Sequence, residues 1–327
     1  MTLSYQTRRV VETAIAKRAE KPKKQEIYVP GTNCQIKPQV PLAHLTSLRV
    51  GGPAEWHVAP RTLQELQASL GWARSEGLPV TMVGAGSNVL ASDRGLPGLT
   101  ICTRYMRYAE FDPTLSQVKT AAGQSLVRLA WKAAERGWEG IEWAVGIPGT
   151  VGGAVVMNAG AHGACTADIL VEAKVLSPLG VLKTLSPEDL GYSYRTSILQ
   201  GSDLWVVEAT FQLRPGADST KVKAVTEAQL ERRRSTQPYH LPSCGSVFRN
   251  PLGDRGAGWL IEQTGLKGYQ IGGARVSELH ANFIVNCGGA TAEDIFRLIH
   301  YVRDKVQNRW SIALEPEVRI LGEFPDL

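Results

Sequence analysis

The sequence predicts an α+β protein built from more than one folded unit. Three observations carry that expectation. Segments of strand character and segments of helical spacing interleave along 327 residues, a length that can bury more than one core. Of two glycine-rich loops, 84–90 and 146–163, the first follows a strand yet lacks the G-x-G-x-x-G fingerprint of a doubly wound dinucleotide fold, because Val89 stands where the last glycine belongs and no helical pattern follows. The last third of the chain, beyond the break at Pro215-Gly216, carries helices and strands of its own. The expected divisions are a basic, solvated tail over 1–38, a domain over 39–214, and a C-terminal domain over 215–327.

In the tail, Lys17, Arg18, Lys21, Lys23 and Lys24 cluster ahead of Pro30-Gly31, and 7–18 has the spacing of a short helix. Folded chain is expected from Leu42. Trp56-His-Val-Ala-Pro60 reads as a strand with a proline stop. Leu63, Leu66, Leu70 and Ala73 recur at helical spacing behind the capping residue Thr62. Pro79-Val-Thr-Met-Val83 is a short strand running into the first glycine loop, and Leu99-Thr-Ile-Cys102 is another. Val118-Lys-Thr-Ala-Ala122 ends at Gly123, and 126–136 reads as a helix closed by Gly137. Strands are expected over 169–176 and 204–213. The stretch 219–235 is helical and highly charged, so Arg232, Arg233 and Arg234 read as a solvated, ion-paired face. Further on, 257–264 and 291–308 read as helices, and 281–286 and 314–321 as strands.

The stretch 146–163 organises the rest. It holds six glycines, one proline and almost no charge. A solvated loop would carry Asp, Lys or Ser, and a core helix tolerates little glycine. Backbone of this kind turns tightly and leaves N–H groups uncovered, which suits an anionic ligand such as a pyrophosphate; the alternative is an irregular buried connection that binds nothing.

Composition narrows the function classes. With 43% hydrophobic and 20% charged residues the chain is ordinary for a globular protein. No apolar run reaches the length of a membrane span, and the N-terminus has no apolar signal segment. Cys34, Cys102, Cys165, Cys244 and Cys287 are scattered, odd in number and without C-x-x-C spacing, so neither a metal site nor a disulfide framework is expected, and a reducing cytoplasm is the simplest compartment. The net charge of +5 suits phosphate-bearing small molecules, while the dispersed basic residues argue against nucleic acid as a partner. A monomer is the expected assembly.

Several stretches together carry a family resemblance: Gly84-Ala-Gly-Ser-Asn88, Gly146-Ile-Pro-Gly-Thr-Val-Gly-Gly153 with Asn158-Ala-Gly160, Tyr194-Arg-Thr-Ser197, Gly245-Ser-Val-Phe-Arg-Asn-Pro251, Gly258-Trp-Leu-Ile-Glu-Gln263 with Leu266-Lys-Gly268, His280-Ala-Asn-Phe-Ile-Val-Asn286 and Leu314-Glu-Pro-Glu-Val-Arg319. In this order and spacing the chain, over 40–322, resembles the UDP-N-acetylenolpyruvoylglucosamine reductases (UDP-N-acetylmuramate dehydrogenases) of bacterial peptidoglycan synthesis. The resemblance implies a two-subdomain FAD-binding fold of the p-cresol methylhydroxylase and vanillyl-alcohol oxidase (PCMH/VAO) type, with subdomains over about 39–115 and 116–214, followed by an α+β substrate-binding domain. It implies that NADPH reduces non-covalent FAD, and that hydride passes from flavin N5 to the enolpyruvyl double bond of UDP-N-acetylglucosamine enolpyruvate. The direct run from Asn250 to Trp259 is similar to the shorter form of the family. Residues 84–90 contain no histidine that could attach flavin covalently.

The chemistry asks for a cation to stabilise an enolate-like carboxylate and for a proton donor. Arg195 and Ser246 match the family in these roles, with Glu317 as the third catalytic residue; taken alone, each reads as solvated arginine, loop serine and strand-surface glutamate. Alternation along 314–320 puts Glu315, Glu317 and Arg319 on one face, with Glu315 the better candidate for plain surface charge. The resemblance assigns Gly84, Ala85, Gly86, Ser87, Asn88, Gly123, Gly146, Pro148, Gly149, Gly152, Gly153, Asn158 and Gly160 to FAD. It assigns Tyr194, Asn250, Lys267, His280 and Arg319 to the substrate, and no residue to a metal. The rival readings are another flavin oxidoreductase of this fold, acting on an alcohol or lactone, and a nucleotide-binding module without chemistry.

Overall fold

A computed structural model describes residues 27–326. The basic cluster and the short helix expected before residue 27 lie outside the described residues. Structure begins earlier than the sequence suggests: β1 (Ile27–Tyr28) pairs with β2 (Gln35–Pro41), which pairs in turn with β3 (Pro53–Val58). Val29 and Ile36 are fully buried, so the expected solvated tail to residue 38 is corrected. The two apolar residues on a short hairpin were masked in the sequence by the prolines, glycine and lysines around them.

Helix α1 (Leu63–Ser75) follows, then β4 (Val80–Val83), β5 (Val89–Ala91) and β6 (Leu96–Cys102). Among the described residues the first sheet runs β1-β2-β3-β6-β4, with β3, β6 and β4 parallel. The Thr62 hydroxyl accepts from the Glu65 N–H at 3.1 Å and starts α1, which buries Leu66, Leu70 and Ala73 against this sheet.

The second unit holds β7 (Ala109–Asp112), β8 (Gln117–Ala121), α2 (Leu126–Glu135), α3 (Val151–Met157), the hairpin of β9 (Gly160–Ala161) and β10 (Ala164–Cys165), then β11 (Leu170–Leu176), β12 (Leu182–Leu185) and β13 (Trp205–Gln212). Its antiparallel sheet is ordered β12-β11-β13-β8-β7. Helix α3 lies inside the glycine-rich stretch that was expected to be helix-free. Thr150 caps it, and a Cβ added at Gly152 would sit 3.0 Å from the Ala122 Cβ. Glycine is therefore present there because α3 packs hard against the end of β8, a contact that outweighs its poor helix propensity.

The C-terminal unit comprises α4 (Ser219–Thr236), α5 (Ala257–Gln263), β14 (Gln270–Ile271), β15 (Ala274–Val276), β16 (Ile284–Asn286), α6 (Ala292–Trp310) and β17 (Arg319–Leu321). The strands expected over 281–286 and 314–321 are shorter than the patterns implied. Pro316 has no N–H to give a ladder, and Phe248 and Pro316 meet only as an isolated bridge. Helix α6 buries Ile295, Leu298, Ile299, Val302 and Val306, and the Asp93 carboxylate accepts from the N–H groups of Ala292 and Glu293, both at 2.9 Å. Strand β17 pairs in parallel with β5, and Leu48, Val50 and Leu90 enter the C-terminal core. The first and last units are thus joined through side chains and backbone, which closes a cavity between all three.

Candidate active site

Two backbone loops meet at the floor of this cavity, whose volume is about 700 Å³, within the range of small-molecule sites (roughly 300–1,000 Å³). The first loop, 84–88, leaves β4. The second, 147–153, leads into α3. They touch: the Ser87 hydroxyl donates to the Pro148 carbonyl at 2.7 Å, and a Cβ on Gly84 would fall 2.6 Å from the Thr150 hydroxyl oxygen. Any larger residue at 84 would push the loops apart. Among the described residues, the backbone N–H groups of Gly84, Ala85, Gly86, Ser87 and Asn88 have no hydrogen-bond acceptor. A row of unpaired amide donors beside a cavity is what an anionic cofactor segment requires.

The opposite wall carries the polar side chains. Arg195 sits at the turn between Ser193 and Thr196 with φ +55, a left-handed conformation that costs an arginine about 1 kcal/mol and survives where the surroundings hold it. Its guanidinium donates to the Gly160 carbonyl at 2.6 Å, and its Nε lies 3.2 Å from Glu317 Oε1, with only 20% and 17% of the two side chains exposed. Burial pushes the Glu317 carboxyl above the ordinary glutamate range, against the downward pull of Arg195, Arg249 and Arg233. A site that keeps this proton affinity high beside a cation is prepared both to hold a carboxylate and to pass a proton.

Ser246 follows Gly245, whose φ is +81, on a loop pinned from two sides. The Val247 N–H donates to the Asn282 carbonyl at 2.8 Å, and the Val247 carbonyl accepts from the Glu317 N–H at 2.7 Å. The Asn282 side chain then pairs with both backbone groups of Phe248, at 3.0 and 2.8 Å. The glycine loop joins the same frame: Asn88 Nδ2 donates to the Glu317 carbonyl at 3.0 Å and the Arg319 N–H donates to the Asn88 carbonyl at 3.0 Å. Ser246, Glu317 and the 84–88 loop are therefore fixed relative to one another by backbone bonds.

The cavity lining includes Arg195, Ser246 and Glu317. It also includes Gly84, Ala85, Gly86, Ser87 and Asn88, then Pro148, Gly149, Gly152, Gly153 and Gly160, and finally Tyr194, Asn250 and Arg319. Five expected residues lie off it. Gly123 packs on backbone, a Cβ there falling 1.9 Å from the Thr103 carbonyl, and Gly146 lies under Arg233. Asn158 is the left-handed C-cap of α3, with its amide bonded to the Ser193 carbonyl and the Ala167 N–H. Lys267 is paired with Glu262 at 2.8 Å. His280 accepts from the Asn282 N–H at 3.2 Å, and burial lowers its pKa, with the charges of Lys267 and Arg233 adding to the effect.

Two residues escaped the sequence reading. Asn282 stood inside a quoted motif with no role attached. Arg233, expected on a solvated face, turns into the cavity wall against Gly146, and its Nε has no hydrogen-bond partner. The signal available was Gly146 itself, since a glycine beneath a basic helix makes room for one long side chain.

Comparisons with known proteins agree with this geometry. The family description "FAD binding domain" matches residues 54–186. "UDP-N-acetylenolpyruvoylglucosamine reductase, C-terminal domain" matches 237–321. The chain is 63% identical over 298 residues to a UDP-N-acetylenolpyruvoylglucosamine reductase of Nostoc sp., covering 91% of this chain and 90% of that one. It is 59% identical over 301 residues to the reductase of Acaryochloris marina, covering 92% and 97%. The crystal structure of UDP-N-acetylenolpyruvylglucosamine reductase from Thermus caldophilus superposes with a TM-score of 0.75 at 34% identity, covering 88% of this chain and all of that one. Fold and site together define an FAD-binding oxidoreductase with a separate C-terminal unit over its cavity. The chain belongs to the UDP-N-acetylenolpyruvoylglucosamine reductase family.

Proposed function

We propose that this chain reduces the enolpyruvyl group of UDP-N-acetylglucosamine enolpyruvate to UDP-N-acetylmuramate in peptidoglycan synthesis, with FAD as its cofactor and NADPH as the reductant. The observation that carries the reading is the half-buried Arg195–Glu317 pair facing the same cavity as Ser246 and the two glycine loops. Bound FAD supplies the two-electron chemistry, taken from NADPH and delivered to the enolpyruvyl double bond.

This chain's own residues do the rest. The uncovered amides of 84–88, together with Pro148, Gly149, Gly152, Gly153 and Gly160, hold the cofactor without a covalent bond, while Gly123, Gly146 and Asn158 shape the backbone behind them. Arg195 holds the substrate carboxylate and offsets the charge that builds on it in the transition state. Ser246 gives its hydroxyl proton to the carbon next to that carboxylate; the acceptor is strongly basic, so an unactivated hydroxyl suffices. Glu317, with its raised proton affinity, keeps Arg195 aimed and stands next in line for the proton. Tyr194, Asn250 and Arg319 contact the remainder of the substrate, while His280 and Lys267 lie off the cavity lining.

The domain division that fits this reading is an FAD-binding domain running to 214 and a substrate-binding domain from 215, which the matched ranges 54–186 and 237–321 support. No helix among the described residues is long and apolar enough to cross a membrane. The proposed setting is a cytoplasmic monomer working on small-molecule substrates.

The test is a visible spectrum of the purified protein, followed anaerobically by NADPH and then the enolpyruvyl substrate. A flavin spectrum that bleaches with NADPH and returns with substrate is expected. Ser246→Ala should still bleach but recover at least about 100-fold more slowly, the contribution typical of a positioned acid. Undiminished recovery removes Ser246 from the reaction, and a colourless protein that takes up no FAD overturns the whole reading.

A further inference from the structure

On the loop that carries Ser246, a little further along the chain, stands Arg249. Its backbone belongs to the C-terminal unit, where its N–H donates to the Glu315 carbonyl at 2.9 Å. Its guanidinium reaches across to the second unit. Nη1 donates to the Thr196 hydroxyl and Nη2 to the Gln200 side-chain carbonyl, each at 3.3 Å. Nε is buried without a hydrogen-bond partner. Among the described residues its one ion pair is with Glu315, 3.8 Å away and with 76% of its side chain exposed. A long pair to a solvated carboxylate contributes little, so Glu315 does not account for where this arginine points. Arg249 does not line the main cavity either.

The two side chains it reaches hold the peptide groups on either side of the Arg195 Cα. The Thr196 hydroxyl donates to the Tyr194 carbonyl at 3.2 Å. Gln200 Nε2 donates to the Arg195 carbonyl at 2.8 Å and to the Val156 carbonyl at 3.2 Å. These bonds brace the left-handed backbone of Arg195. Arg249 decides their direction. A hydroxyl that accepts from a guanidinium sends its own proton elsewhere, here to the Tyr194 carbonyl, and an amide that accepts at its oxygen turns its NH2 to the opposite side. A charged donor also polarises each relay and strengthens the second bond. The contacts close into a ring: Arg249 to Gln200, Gln200 to Arg195, Arg195 to Glu317 at 3.2 Å, and the Glu317 N–H back to the Val247 carbonyl of the Ser246 loop at 2.7 Å.

We propose that Arg249 is a positioning residue: through Thr196 and Gln200 it holds the turn that carries Arg195 in register with the loop that carries Ser246. The group that offsets charge and the group that gives the proton come from different units, and this side chain sets the distance between them. The consequence for catalysis rests on the proposed function; the link itself does not.

Two readouts on the FAD-loaded full chain keep them apart. Arg249→Met retains the apolar stem and loses both donors, and Arg249→Lys retains the charge and can serve one acceptor at a time. Hydrogen exchange over 193–200, read by mass spectrometry, should quicken about tenfold in Arg249→Met and less in Arg249→Lys, with α6 unchanged. Anaerobic reoxidation of the reduced flavin by the enolpyruvyl substrate should slow about 100-fold in Arg249→Met, the cost of a displacement near 1 Å, with Arg249→Lys between it and the parent. Bleaching by NADPH, which draws no proton from Ser246, should stay within about threefold of the parent. Parental exchange over 193–200, reoxidation within about twofold of the parent, or bleaching slowed as much as reoxidation overturns the proposal. Should Arg249→Met fail to retain FAD, Arg249→Lys carries the test: faster exchange over 193–200 with slowed reoxidation and spared bleaching upholds the link, and parental values for both refute it. A parent that neither bleaches with NADPH nor reoxidises with substrate fails the proposed function, while faster exchange over 193–200 in its Arg249→Met variant still upholds the link.

Discussion

Asn282→Ala tests whether the Ser246 loop owes its position to one buried side chain. Asn282 is 4% exposed and Phe248, which it clamps, is 2% exposed. The substitution removes the bonds at 3.0 and 2.8 Å and leaves the Phe248 N–H and carbonyl without partners in a dry setting. Each orphaned group costs about 1–3 kcal/mol, and a water entering the vacated space recovers part of it, so a loss of about 2–4 kcal/mol is expected. Asn282→Asp keeps the acceptor for the Phe248 N–H but turns a carboxylate oxygen on the Phe248 carbonyl, so it should cost at least as much. The Val247 bond to the Asn282 carbonyl survives both changes, so the loop loosens rather than detaches. A displacement of about 1 Å at Ser246 would slow product formation by up to roughly 100-fold, while flavin reduction by NADPH is spared. Urea unfolding followed by fluorescence gives the first quantity, and anaerobic reoxidation of the reduced flavin by substrate gives the second. A stability within about 0.5 kcal/mol of the parent together with unchanged reoxidation would refute the clamp.

Three further outcomes are expected. Glu317 has a folded value raised above 4.5 by burial, so its contribution to stability is complete below the unfolded value and disappears as pH rises through the folded one. The stability of Glu317→Gln relative to the parent should therefore improve from acid to neutral pH, measured as the difference in thermal midpoints; a difference that does not change with pH contradicts the raised value. His57 is buried, with Nε2 unpartnered, and burial, Arg104 and Lys37 lower its pKa from 6.5 to about 4. Stability is complete above pH 6.5 and lost as pH falls toward 4, so His57→Gln should flatten the acid limb of a pH–stability curve, and an unaltered limb would count against a neutral buried imidazole. Gly86 and Gly71 should respond in opposite directions to alanine. At Gly86, with φ +66, a Cβ would lie 2.0 Å from the Leu45 carbonyl, so both flavin content and stability should fall. At Gly71, inside α1 with nothing within 4 Å, alanine should add about 0.5–1 kcal/mol, and equal effects at the two sites would refute the close approach.

Much of the secondary structure was legible because its causes are local. Thr62 followed by Leu66, Leu70 and Ala73 writes α1 into a dozen residues, as Ser125 and the spacing of Leu126, Leu129 and Ala133 do for α2. The misreadings share one cause. Helix α3 was hidden because glycine inside a helix signals a neighbour packed against it, here Ala122, and that neighbour is not in the local pattern. The strand expected over 314–321 alternates as a strand should, yet most of it lies beside the Ser246 loop with Pro316 breaking any ladder.

The sequence by itself determined the class of fold, the two glycine loops, the motif set that carries the family resemblance, and Arg195, Ser246 and Glu317 as the residues to watch. The fold class and the glycine loops rest on residue type and short spacing, which a linear chain displays directly, while the three residues rest on the family resemblance, since each taken alone reads as ordinary loop or surface chemistry. Only the tertiary structure decided which of the assigned residues share a cavity, that Asn282 clamps the serine loop, and that Arg233 leaves the surface of α4 to line the cavity. The bond from Asn88 to Glu317 joins residues 229 apart and that from Asp93 to α6 joins residues 199 apart. Contacts of that span depend on how three separately formed units close on one another, and nothing in the local sequence around either partner encodes the other.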